Sequence, residues 1–402
     1  MVESRNARVL VLTFSFSFLT AQGMPLTVQV YLNTLFDVLS NHYVNTKNVD
    51  WKTLKATAEA SAQNAQTTED LVPIVRQVLE TIGDDRIGFE DAEVIKARSK
   101  RDADGYVGFN GNDDLVLISV TPGGPMDKAG ARVGDGLEAI DGEPPRYSID
   151  GPFEIAGKRT TITVNRNGEI LDFTVDRSQI AFDRPLRAGR LGPAAYLETP
   201  ITANGNYSRE ASSIQTSLRL LEASGACGWV IDARRDQGSA LGQWAGFGPL
   251  IGEKILTYQT NSQTLPWTYN SSTGSLLYNS LLQVVLFTKA FVPKHPNAPV
   301  AILIGPNTNP FMPAAFIGRE NTITAGHAIP GEVYESEFYD LEPSKQSNIN
   351  FPSARILDRN GNVVKSVKPD VMLETNWVDF GTKRDAVIQA VLDWLRAQPA
   401  CK

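Results

Sequence analysis

The chain has 402 residues, enough for roughly two to three domains, and its 42% hydrophobic and 21% charged content is that of a globular protein with a real core. A net charge of −7 and the lack of any Lys/Arg cluster argue against nucleic acid as a partner. With two cysteines, three histidines and no CxxC or HExxH spacing, no metal or other cofactor is expected.

Residues 1–23, MVESRNARVLVLTFSFSFLTAQG, place Arg5 and Arg8 before the apolar run 9–19 and the small residues Ala21 and Gly23 after it. This pattern predicts a secretory signal and a periplasmic or secreted protein; the alternative is a first buried strand or helix in a cytoplasmic one. Nothing later approaches 18 apolar residues, so no stable membrane insertion is expected. In an exported chain Cys227 and Cys401 could pair; the other reading is a buried strand thiol and an exposed terminal one.

Residues 24–100 read as a helical module. LTVQVYLNTLFDVLSNHYV has apolar residues at helical spacing, and WKTLKATAEASAQNAQ is Ala-rich. TTEDLVPIVRQVLETIG repeats the amphipathic pattern, with Thr67 or Thr68 as N-cap and Gly83 as its stop. Residues 101–182 change period. LVLISV, GLEAIDG and TTITVNRNGEILDFTV are short strands between Gly, Pro and Asn turns, and NRNGE signals a hairpin. PGGPMDKAGARVGD reads as a turn with one short helix.

Residues 183–402 read as α/β. ASSIQTSLRLLEAS is an amphipathic helix, CGWVIDAR a buried strand and LGQWAGFGPLIG a helix. SLLYNSLLQVVLFTKA is expected to be helical. PVAILIG is a buried strand, after which a Gly-Pro-Asn turn leads to MPAAFIG, a helix with Pro313 at its first position. SARILDRNGNVV is hairpin-like, and KRDAVIQAVLDWLRAQ closes the chain as a helix. Strands alternating with helices define a layered α/β (α+β) core.

The stretch LVLISVTPGGPMDKAGARVGDGLEAIDG at 115–142, preceded by GYVGF at 105–109, resembles a PDZ domain. The resemblance implies that Gly105, Tyr106, Val107, Gly108 and Phe109 bind a peptide C-terminus. Glycines let successive backbone N–H groups converge into an anion-binding nest, and a bound peptide adds a strand to the sheet edge. The alternative is a turn that needs glycine only for its backbone geometry.

Four further stretches resemble the C-terminal-processing (tail-specific) serine peptidases. They are VDWKTLKATAEASAQNAQTTEDLVPIVRQVLETIGDDRIGF, CGWVIDARRDQGSALGQWAGFGPLIGE, VAILIGPNTNPFMPAAFIGRENTITAGHAIPG, and ARILDRNGNVVKSVKPDVMLE with RDAVIQAVLDWL. The resemblance implies a peptidase core of the ClpP/crotonase-like spiral type, with an inserted β-rich PDZ domain after an N-terminal helical module. It also implies peptide-bond hydrolysis, with a Ser nucleophile, a His or Lys base and backbone N–H groups for the oxyanion.

The catalytic positions depart from that pattern. The family's Gly-Asp-Gly-His-Ser falls on Gly83-Asp84-Asp85-Arg86-Ile87, and arginine cannot act as a base. The Ser position falls at or beside Pro310, in a turn shortened by about three residues against the family pattern. The Lys of the Lys-using branch is missing from 328–332, and the oxyanion glycines fall at Gly238 and Ser239. Ser239 or Thr308 with His327, oriented by Glu374 or Asp370, is the alternative constellation. Against it, a lone His after a strand is more often a surface or hydrogen-bonded residue. The expectation is a pseudopeptidase that binds peptide or protein C-termini. The alternatives are an active serine-type endopeptidase with displaced groups, and a partner of an active peptidase paralogue.

Overall fold

A computed structural model describes residues 24–111, 114–145, 158–178, 184–200, 205–236, 240–306 and 308–402. The signal expected at 1–23 lies outside the described residues.

The chain opens with helices α1 (Leu26–His42), α2 (Trp51–Ser61) and α3 (Val72–Ile82). Helix α1 buries Val28, Tyr31, Leu32, Leu35, Phe36 and Leu39, the one-sided spacing its sequence carries. The Asp50 carboxylate caps α2 by accepting the Thr53 N–H. Gly83 ends α3 at φ +70°, a conformation that favours glycine. Neither Thr67 nor Thr68 caps α3; a 3₁₀ turn at Glu69–Leu71 intervenes, and Asp70 accepts the Gln66 and Thr67 N–H groups. After β1 (Gly88–Glu90) and α4 (Ala92–Asp104), the helical core closes on Leu341, Ile349 and Phe351 of a later sheet.

A β-rich unit follows: β2 (Phe109–Gly111), β3 (Leu117–Val120), α5 (Pro125–Ala129), β4 (Gly136–Ile140), β5 (Arg159–Arg166) and β6 (Glu169–Asp176). Asn167 and Gly168, both at positive φ, turn β5 into β6 as the Asn-Gly signal predicts. Val107, Phe109, Leu117, Met126, Ile162 and Val164 form its separate core.

The α/β core comprises β7 (Arg187–Leu191), β8 (Ala194–Glu198), α6 (Tyr207–Ala223), β9 (Trp229–Asp232), α7 (Ala240–Ile251), β10 (Lys254–Gln259), β11 (Thr264–Asn270), β12 (Ser275–Tyr278) and β13 (Leu281–Val284). It continues with β14 (Val300–Ile304), α8 (Phe311–Ala314), β15 (Thr322–Gly326), β16 (Tyr334–Asp340), β17 (Asn348–Leu357), β18 (Val371–Met372) and α9 (Ala386–Ala397). One sheet runs β18-β15-β14-β9-β8-β7 and is parallel except at β7–β8. Its central strand β14 is buried throughout, which explains the unbroken apolar run VAILI. One face packs against α6 and α7, the other against α9. The antiparallel sheet runs β1-β17-β10-β11-β12-β13, with β16 also on β17.

Two local expectations are corrected. SLLYNSLLQVVLFTKA forms the β12–β13 hairpin, not a helix, because Asn279 and Ser280 both take positive φ and turn the chain back, and Leu276 pairs with Val284 across it in the core. Pro313 is the third residue of α8; Pro310 occupies the N-cap, and the helix lasts only four residues.

Cys227 and Cys401 form a disulfide with Cα atoms 5.0 Å apart, pinning the end of the chain beside the entry to β9. The bridge spans 174 residues, so its removal frees a long loop in the unfolded chain. Reduction, or Cys401→Ser, is expected to lower stability by about 2–4 kcal/mol. Urea unfolding with and without reductant measures this, and an unchanged midpoint would contradict it.

Candidate functional site

Strand β9 leads into Ala233-Arg234-Arg235-Asp236, and β14 into the turn at 305–311; the two meet side by side. A Cβ on Gly305 would lie 2.7 Å from the Arg234 carbonyl, so only glycine lets the turn come this close. The Asn309 N–H donates to the Asp236 carbonyl at 2.6 Å. Beneath them Arg234 is fully buried and bridges two carboxylates. It donates to Asp232 at 2.6 and 3.0 Å and to Asp385 at 2.8 and 3.1 Å. Tyr196 donates its hydroxyl to Asp232 at 2.8 Å. Burial opposes ionisation of Asp232, but the Arg234 charge and hydrogen bonds outweigh it and hold the carboxyl below its ordinary range. Arg235 pairs with buried Glu198, and the Phe380 ring lies 4.4 Å from Arg234 and 4.8 Å from Arg235.

Thr308 is buried in this turn. Its hydroxyl donates to the Ala233 carbonyl and accepts from the Gly305 N–H, both at 2.7 Å. A nucleophile needs its proton directed at a base; this one is directed at a backbone carbonyl. Pro310 starts α8, and Phe311 turns its ring toward Trp244 and Tyr258, with centroids 6.1 and 6.3 Å away. Ser239 and Gly238 lie outside the described residues.

His327 follows β15. Gly326 before it has φ +124°, and a Cβ there would lie 2.0 Å from the Ile304 carbonyl, so this position requires glycine. The His327 Nδ1 lies 3.1 and 3.2 Å from the two oxygens of Glu374. Of the two carboxylates considered for this role, Glu374 reaches the ring, whereas Asp370 accepts the Thr324 N–H at 2.8 Å. Among the described residues no Ser, Thr or Cys is hydrogen-bonded to His327. The pair lines a cleft of about 440 Å³ with Pro306 of the turn and Asp114, Gly134 and Trp377. The β-rich unit forms one wall: a Cβ on Gly134 would lie 2.9 Å from the Trp377 carbonyl.

Arg86, which the resemblance places where a base is expected, is tied to a neighbouring carboxylate. Its guanidinium donates to Asp84 at 2.5 and 2.7 Å and sits 4.2 Å above the Tyr334 ring. These bonds pull the Asp84 carboxyl down to about 2. Tyr43 donates to the same carboxylate at 2.6 Å.

In the GYVGF loop, Gly105 and Gly108 have φ +86° and +88°. The Tyr106 N–H is taken by the Ser178 carbonyl, whereas the Val107 and Gly108 N–H groups have no hydrogen bond among the described residues. Val107 and Phe109 send their side chains into the β-rich core, and Tyr106 is exposed. Strand β2 pairs only with β3 among the described residues.

The sequence reading missed a second cavity of about 460 Å³, lined by Tyr258, Trp267, Tyr278, Glu335 and His42. Burial pushes the Glu335 carboxyl up. The period-2 pattern of YESEFYD was the available signal, since Glu335 and Glu337 alternate with exposed Ser336 and Phe338.

The fold is that of the C-terminal-processing peptidases: mixed α/β, with a β-rich unit inserted after N-terminal helices. The photosystem II D1 C-terminal processing protease superposes with a TM-score of 0.58 at 17% identity, over 87% of this chain and 94% of that one. A structure from Bacteroides fragilis described as an S41 protease gives 0.57 at 12% identity, over 90% and 96%. A lipoprotein from Streptococcus agalactiae gives 0.51 at 12%, over 97% and 99%. No protein-family model and no curated protein matches the sequence.

Proposed function

We propose that the protein is a non-hydrolytic member of the tail-specific peptidase group that binds peptide or protein C-termini. The observation that carries this reading is the state of the nucleophile turn. Its one described hydroxyl, on Thr308, is buried and bonded to backbone at both ends, and the base position holds an arginine tied to Asp84. Peptide binding is supported by the GYVGF loop, read as the carboxylate site of a PDZ domain, with two adjacent N–H groups that have no hydrogen bond among the described residues. The disulfide and the signal-like residues 1–23 support a periplasmic or secreted location. Among the described residues no helix is long and apolar enough to cross a membrane.

The His327–Glu374 pair favours a second reading, an active peptidase in which Ser239 is the nucleophile. Fluorophosphonate labelling separates the two. The expected result is no covalent adduct and no casein cleavage; an adduct lost in Ser239→Ala would establish the second reading instead. In a parallel titration, free-acid peptides are expected to bind at least about tenfold more tightly than their amides, the effect of one charge-assisted anion contact. Equal binding would remove the carboxylate site.

A further inference from the structure

Residues 255–288 contain no Asp, Glu, Lys, Arg or His. This run builds most of the β10–β13 meander, and β13 stands at the end of the antiparallel sheet, pairing only with β12 among the described residues. Exposed sheet edges are templates for pairing, and proteins ordinarily guard them with charge. Other edges here are guarded in that way: Glu90 lies on β1, Arg187 and Arg190 on β7, and Asp340 on β16.

The β13 edge carries apolar side chains instead. Leu281 is 66% exposed, Leu282 58%, Val285 42%, Phe287 67% and Val292 70%. Val284 and Phe291 are buried, so the segment is anchored to the core at two points while most of the residues around them are exposed.

We propose that β13 and the segment through Val292 form a homodimer interface, in which two copies pair β13 antiparallel about a two-fold axis. An antiparallel edge is self-complementary under that symmetry, and the pairing closes at two copies. The charge pattern favours a second copy: over 281–288 it brings an equally uncharged face, with no repulsion and no stranded ion, and Lys289 is the one charged residue of the segment through Val292. The area is sufficient as well. At roughly 100 Å² for each of these five side chains, with strand backbone in addition, pairing withdraws about 600 Å² per copy, close to the roughly 800 Å² of a standard interface.

Sedimentation velocity on the full chain from about 1 to about 100 μM tests this. The expected result is a monomer–dimer equilibrium with no larger species. The double variant Leu282→Lys/Val285→Lys should weaken association at least about tenfold, since it places like charges on facing strands. Both side chains are exposed, so at concentrations where the wild type is monomeric the thermal melt should be unchanged. Phe338→Lys, on exposed apolar surface of β16, should leave the dimer intact. A monomer at all concentrations, a dimer indifferent to the β13 lysines, an open series of larger species, or equal sensitivity to Phe338→Lys would each overturn the proposal.

Discussion

Arg234→Met is expected to destabilise the protein by about 3–5 kcal/mol at neutral pH, because it strands two carboxylates inside the fold. Arg234 is wholly enclosed, and both Asp232 and Asp385 depend on it for charge balance. Asp385 also caps α9 by accepting the Val387 and Ile388 N–H groups, so the arginine ties the terminal helix to the end of β9. The pH dependence has a definite sign. Asp232 has a folded pKa below its unfolded value, so its contribution is present above the ordinary carboxylate range near 4 and is lost as pH falls through the folded value. In the variant the partner is gone and burial pushes the same carboxyl up, so folding then favours its protonated form. The gap between wild type and variant should therefore be widest at neutral pH and narrow as pH falls, first through the raised value of the variant and then, as the wild type loses its share, below about 4. Urea unfolding across that range measures it. A loss below about 1 kcal/mol, or a gap that widens in acid, would show that the bridge does not carry this load.

The parts of this architecture legible in the sequence are those encoded by local pattern. VAILI reads as a buried strand because both of its faces are covered, and NRNGE reads as a hairpin because Asn-Gly accepts positive φ at both central positions. SLLYNSLLQVVLFTKA was misread because an apolar run of this length fits either period; Asn279 and Ser280 decide it, and neither is as strong a signal as glycine. The site is less legible because its bonds join distant residues. Thr308 meets Ala233 across 75 positions, and His327 meets Glu374 across 47. Sequence alone left Asp370 and Glu374 equivalent. Strand pairing separates them, since Asp370 is drawn to the backbone of β15 and Glu374, two residues beyond β18, is free to reach the imidazole.

Thr308→Val should cost about 1–3 kcal/mol and leave function at the cleft otherwise unaltered, the opposite of what a nucleophile would show. Valine keeps the volume but removes the hydroxyl, leaving the Gly305 N–H without a partner in a buried turn and taking one of two hydrogen bonds from the Ala233 carbonyl. An unsatisfied buried group costs about 1–3 kcal/mol, and one is created here, the Gly305 N–H, while the Ala233 carbonyl keeps its bond from the Asp236 N–H. Thr308→Ser retains the hydroxyl and should recover most of the loss, less the missing methyl. A nucleophilic threonine would behave differently: its valine variant would fold normally and lose fluorophosphonate reactivity, and its serine variant would react faster. Stability curves for the two variants, read beside the labelling result, therefore distinguish a turn held together by its threonine from one that attacks a peptide bond with it.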